Sequence, residues 1–127
     1  MRNWALVLHF YQPSIQELHV TQHVLETCYL PVLDLLLESP ENKFSININS
    51  SLIEQLDELD NHSFREKIQK LYNRGQIELL NSPTHHPIAP LIPWKAVERQ
   101  LSDDVDTTKS SMEVDLADAL FLPELAI

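Results

Sequence analysis

Glycine is almost missing from this chain: it occurs once, at Gly75, in 127 residues. About 7% is usual. One glycine cannot write a Gly-rich dinucleotide fingerprint or a P-loop, since each needs several backbone positions without a Cβ against a phosphate. Cysteine is as scarce. Cys28 stands alone, so no internal disulfide can form, and a reducing compartment, the cytoplasm, is expected. Positive charge is also short. Nine Lys and Arg against nineteen Asp and Glu leave a net charge of −10. An acidic chain is repelled by phosphate backbones and anionic lipid, so neither nucleic acid nor membrane is an expected partner. Apolar runs fall well short of the roughly 20 residues that span a bilayer. The N-terminus passes from Arg2 straight into a strand-like run with no small-residue cleavage site, and no signal peptide is expected.

The hydrophobic content of 43% supports one ordinary domain. Trp4–Phe10 is a continuous apolar run broken only by His9 and reads as a buried parallel strand. Apolar positions from Val24 to Leu36 recur at helical spacing over residues 21–38, with Pro31 as a kink. Phe44–Asn49 alternates as a second strand. Ser50 or Ser51, with Glu54, predicts a capped helix to about Leu59. Ser63, with Glu66 three residues on, predicts another, closed by Gly75. Gln76–Leu80 is a third strand. Pro93–Trp94 opens a further helix. Asp103–Glu113 reads as a solvated acidic helix end and loop, and Ala119–Glu124 as a fourth strand. The order β-α-β-αα-β-α-β predicts an α/β fold with a parallel sheet.

Parallel β/α folds place ligands beyond the C-terminal strand ends. There the sequence delivers His9, Tyr11 and Gln12; then Asn47 and Asn49; then Glu78, Asn81, Thr84, His85 and His86; then Glu124. Such a set suits a polyhydroxylated ligand. Gly75–Pro93 stands out within it, with four of the eight prolines and a histidine pair. Glu78, inside Ile77-Glu-Leu-Leu80, reads as a carboxylate whose burial demands a partner. Each of the others also has a structural reading, as a satisfied core or loop side chain. His19 and His23 have an i, i+4 zinc spacing but no third ligand in register. No metal site and no cofactor are expected.

Four segments in order resemble glycoside hydrolase family 57, the retaining α-glucan-active amylases, branching enzymes and glucanotransferases. Leu8-His-Phe-Tyr-Gln-Pro13 is similar to the family's first motif, His-x-His-Gln-Pro. Lys43–Leu52 is similar to its second strand. Gly75-Gln-Ile-Glu78 with His86-Pro87 and Pro90-Leu91 resembles its second motif. Phe121-Leu-Pro-Glu124 resembles its third, which carries the nucleophile. The resemblance implies parallel β/α units forming the first half of an incomplete (β/α)7 barrel, with residues 1–127 a partial catalytic domain truncated after the fourth strand. It implies Glu124 as nucleophile and His9, Tyr11, Gln12, Glu78 and His86 as substrate contacts for an α-glucan or oligosaccharide. The family's acid/base Asp comes from a later strand, so the chain alone is expected to be inactive. Tyr11 replaces the motif's second histidine and Ala119 a frequent glycine. A non-catalytic carbohydrate-binding protein, or a half barrel completed by a second chain, is the alternative. A metal-dependent deacetylase would need Asp-Asp or His-x-x-x-His directly after a strand, and neither stands there.

Overall fold

The computed structural model describes residues 4–126. Four parallel strands, β1 (Val7–Phe10), β2 (Phe44–Ile48), β3 (Ile77–Asn81) and β4 (Leu116–Leu120), lie side by side in chain order. A sequential order has no reversal point. It is the arrangement of a β/α barrel wall, not of a doubly wound sheet.

The strands have two unlike faces because side chains alternate. Phe10, Ile46, Ile48, Ile77 and Leu79 are buried with helix residues such as Leu52, Phe64 and Leu71 in one core. The opposite face carries Val7, His9, Ser45, Asn47, Glu78 and Leu80, in register across the strands. Val7 is 44% exposed, and Trp4 before it 94%. The first strand is therefore shorter than its apolar run and is buried on one face only. As an edge strand it has a neighbour on one side, β2.

Helices α1 (Leu18–Val24) and α2 (Leu30–Leu37) are joined by a π-helical turn over Leu25–Tyr29. Pro31 explains the turn. Its ring would meet the carbonyl four residues back, and the wider turn, in which the Leu30 N–H reaches the Leu25 carbonyl, relieves that clash. The chain absorbs the proline without breaking the helical path.

Helix α3 (Ser50–Glu58) follows Asn49, not a serine cap; the Ser51 hydroxyl turns instead to the Gln12 carbonyl at 2.8 Å. Helix α4 (His62–Asn73) is capped by the Asn61 side chain, which accepts from the Phe64 N–H, so the Ser63 start is corrected by two residues. Gly75 ends α4 as expected. At φ +66° it lets its own N–H reach the Tyr72 carbonyl and the Gln76 N–H reach Leu71.

The largest departure lies in α5 (Trp94–Met112). It continues through the acidic stretch that reads as a solvated end. Val97, Asp104, Thr108 and Met112 are all buried along one face of it. The spacing was helical throughout, but its inward positions are partly polar, which hid the stripe. In consequence β4 begins earlier, at Leu116, and Phe121–Glu124 is a loop and 3-10 turn beyond the strand.

Candidate functional site

The C-terminal strand ends bring four rings together. His9 is the penultimate residue of β1, Tyr11 follows that strand, His86 sits in the loop after β3, and Phe121 follows β4. The His9 ring centroid lies 4.7 Å from His86 and 4.8 Å from Phe121, both stacked. Tyr11 lies 4.8 Å from His86 and 5.9 Å from His9. Three separate strand ends thus contribute to one aromatic cluster.

Beneath the rings is a hydrogen-bonded amide layer. Asn47 is fully buried. Its Nδ2 donates to the Leu80 carbonyl at 3.0 Å and to Ser82 Oγ at 2.9 Å. A carbonyl can only accept, which fixes the amide's orientation and turns Oδ1 toward His9. His9 Nδ1 lies 2.8 Å from that oxygen and must carry the proton. The Nε2 lone pair remains as the ring's acceptor. Asn49, also buried, donates to Ser82 Oγ at 3.1 Å and to the Pro83 carbonyl at 3.0 Å.

A further tie lies below. The carboxylate of Asp104, on α5, is fully buried. It accepts from the Ser50 N–H at 2.9 Å and the Ser82 N–H at 3.2 Å. The Ser50 hydroxyl faces it without a well-formed bond. Burial pushes the Asp104 pKa up to about 6, against the pull of those donors.

Both cluster imidazoles have a lowered pKa, which favours the neutral ring. Burial, and then the neighbouring charge that His9 would carry, lower His86 to about 4. Burial lowers His9 too, partly offset by Asn47. His86 adopts a left-handed backbone, φ 52°, and its Nδ1 is buried with no hydrogen-bond partner among the described residues. Strain of this kind gathers at functional sites.

The structure assembles the anticipated residues unevenly. His9, Tyr11 and His86 meet. Gln12 does not join the rings: its Nε2 donates to the Tyr29 hydroxyl at 3.0 Å, and that hydroxyl donates to the Tyr11 carbonyl, so it braces the loop from below. Glu78 shares a sheet face with His9 but pairs with Ser45, in the layer nearer the N-terminal strand ends. It is exposed and accepts from the Ser45 hydroxyl at 2.6 Å. The buried carboxylate expected there is corrected: only Ile77 and Leu79, on its two sides, face the core. Glu124 is exposed in the turn after Phe121, with φ 54°. Phe121, Ser82 and Asp104 were not anticipated as site residues. Phe121 carried a signal, as the aromatic beside Glu124; Asp104 carried only its helical spacing from Val97.

A cavity of about 390 Å³ opens at the other end of the strands, between Trp4, Lys43, Ser45 and Glu78. That end of a β/α fold ordinarily serves stability, so the ring cluster is the better chemical candidate. A second, apolar hollow lies between Trp94, Leu120 and Leu122. Among the described residues, no three His, Cys, Asp or Glu side chains are grouped to hold a metal ion. No helix among them is long and apolar enough to cross a membrane.

Sequential parallel strands with a polar, ring-lined rim at their C-terminal ends define an α/β protein of the β/α barrel class. The chain matches glycosyl hydrolase family 57 over residues 3–127, and it belongs to that family. It is 30% identical over 91 residues to an α-amylase of Pyrococcus furiosus, covering 72% of this chain and 14% of that protein. It is 25% identical over 91 residues to a 4-α-glucanotransferase of Thermococcus litoralis, with the same shares covered, 72% and 14%. The crystal structure of a Thermococcus litoralis 4-α-glucanotransferase superposes with a TM-score of 0.85 at 22% identity, over 94% of this chain and 19% of that one. A family 57 branching enzyme from Thermococcus kodakaraensis, in complex with glucose, gives 0.74 at 14% identity, over 94% and 32%. The chain therefore spans about one-seventh of the curated relatives it matches, and its fold is the N-terminal part of their (β/α)7 barrel.

Proposed function

We propose that these residues form one wall of an α-glucan site in a retaining glycosidase or glucanotransferase. The ring cluster carries this reading. A pyranose offers an apolar C–H face and a rim of hydroxyls. Stacked rings with a few fixed polar atoms answer both. His9 Nε2 accepts from a sugar hydroxyl, His86 lends its ring to the apolar platform, and Tyr11 supplies a hydroxyl. Gln12 holds the Tyr11 loop, and Glu78 contacts substrate deeper along the same face.

Glu124 is the nucleophile. Its carboxylate attacks the anomeric carbon, the glycosidic C–O bond breaks, and a glycosyl ester forms. The strained backbone at Glu124, in the turn after β4, supports this assignment. Retaining hydrolysis needs a second carboxyl group about 5–5.5 Å from the first to protonate the leaving oxygen. This reading assigns that acid to a residue outside these 127, so a polypeptide of these residues alone binds glucan and turns over little natural substrate. The single cysteine supports a cytoplasmic setting.

An activated donor separates these claims. Fluoride leaves without full protonation, so a maltosyl fluoride bypasses the missing acid. Mass spectrometry should find a glycosyl ester on the peptide containing Glu124, absent in Glu124→Gln. Labelling of a different carboxylate would overturn the assignment.

A second reading is favoured by the open edges. The outer sides of β1 and β4 have no partner strand among the described residues. Leu6, Val7 and Leu120 are exposed beside them. Such edges pair readily with another strand, and a second chain completing the barrel would cover them. A monomer at high concentration by light scattering would count against it.

A further inference from the structure

We propose that Asp104 is a positioning residue for the ring cluster: by placing Ser82 it adds to the Leu80 carbonyl's hold on the Asn47 amide, and so biases which nitrogen of His9 faces the ligand. Asp104 stands on α5, touches none of the four rings, and belongs to none of the motifs that mark the site.

Its two carboxylate oxygens each take one backbone N–H. Oδ1 holds Ser50, the first residue of α3, and Oδ2 holds Ser82, the first residue after β3. One buried side chain therefore sets the spacing between the loops that follow β2 and β3. Ser82 passes that placement on. Its Oγ accepts from Asn47 Nδ2 at 2.9 Å and Asn49 Nδ2 at 3.1 Å. Asn47, so held, turns its Oδ1 to His9 Nδ1 at 2.8 Å.

Each link has a direction. A carboxylate accepts only; a backbone N–H donates only; the Leu80 carbonyl accepts only and sets the Asn47 amide. The result at the end of the relay is a single tautomer of His9, with the proton on Nδ1 and the lone pair on Nε2. A neutral imidazole with no such partner divides its proton between both nitrogens. A site built to accept from a hydroxyl would then present the wrong group part of the time. Asp104 cannot be replaced by its amide without loss: asparagine has one acceptor for two N–H donors and sets its own NH2 against the other.

The value of this tautomer for catalysis rests on the α-glucan reading. The test does not, because it is made without sugar. Long-range imidazole nitrogen NMR spectra of the full chain at neutral pH should show His9 protonated at Nδ1. In Asp104→Asn the ratio of the Nδ1–H to the Nε2–H form should fall by about fivefold, the worth of one neutral hydrogen bond. His19 and His62, on the surface, should keep their signals. A folded Asp104→Asn with His9 unchanged would overturn the proposal. Should Asp104→Asn not fold, Ser82→Ala decides. It keeps the backbone N–H that Asp104 holds and removes only the Oγ, and it should shift the His9 ratio in the same direction. An unchanged ratio of the Nδ1–H to the Nε2–H form in Ser82→Ala would overturn the relay. Sugar binding lost with the His9 signal intact in both variants would likewise contradict a role through the tautomer.

Discussion

His9 Nδ1 and Asn47 Oδ1 lie 2.8 Å apart across the β1–β2 pair, where the two residues are register partners. The contact joins a partly exposed ring to a fully buried amide. Asn47 is thereby a structural and a functional residue at once. Asn47→Ala should cost about 1–3 kcal/mol, because it strands the Leu80 carbonyl and loosens Ser82. Urea unfolding measures this. The same variant should free His9 to donate or accept from either nitrogen.

Asp104 makes stability depend on pH in an unusual direction. Its folded pKa is raised from 3.8 to about 6. A raised carboxyl pKa means the folded state binds its proton more tightly. The resulting contribution is full below the unfolded value and is lost as pH climbs through the folded one. The stability of the wild type minus that of Asp104→Asn should therefore shrink between about pH 4 and 6, by roughly 3 kcal/mol at most. Unfolding curves at several pH values test it. A difference that stays level or grows with pH would show that the buried carboxylate keeps an ordinary affinity for its proton.

His86 should resist protonation. Burial and the proximity of His9 hold it near 4. A lowered histidine pKa contributes stability above the ordinary value of 6.5, and that contribution fades as pH falls through about 4. Following its Cε1–H resonance through an acid titration should give a midpoint well below 6.5; an ordinary midpoint would mean that the ring is not packed against His9.

Gly75 is needed for its backbone and not for space. A Cβ there would meet nothing within 4 Å, yet φ is +66°. Gly75→Ala should destabilise by about 1 kcal/mol, and Gly75→Asn by less, since asparagine tolerates this region better. Thermal unfolding of the pair would check that order.

The fold was legible where pattern and chemistry agreed. Phe44–Ile48 alternates, Gly75 closes α4, and the strand–helix alternation announced a parallel sheet. Legibility failed where a polar residue faced inward. Asp104 and Thr108 interrupt the apolar stripe of α5, so the second half of a 19-residue helix read as a solvated end and loop, and β4 was displaced toward Glu124. Glu78 failed the other way. Its apolar neighbours suggested burial, but in a strand with one covered face every second residue points away from the core. In the site, the motif residues His9, Tyr11 and His86 were visible as chemistry. What orders them was not, because Asn47, Ser82 and Asp104 come from three elements that only the folded chain brings together.

The claim that the ring cluster faces an α-glucan is tested most directly by titrating the full chain with maltopentaose and following backbone amide resonances. The account predicts saturable shifts at His9, Tyr11, His86 and Phe121, weakened in Phe121→Ala. Shifts confined to Trp4, Lys43 and Gly75 at the opposite strand ends, or none at saturating sugar, would contradict it.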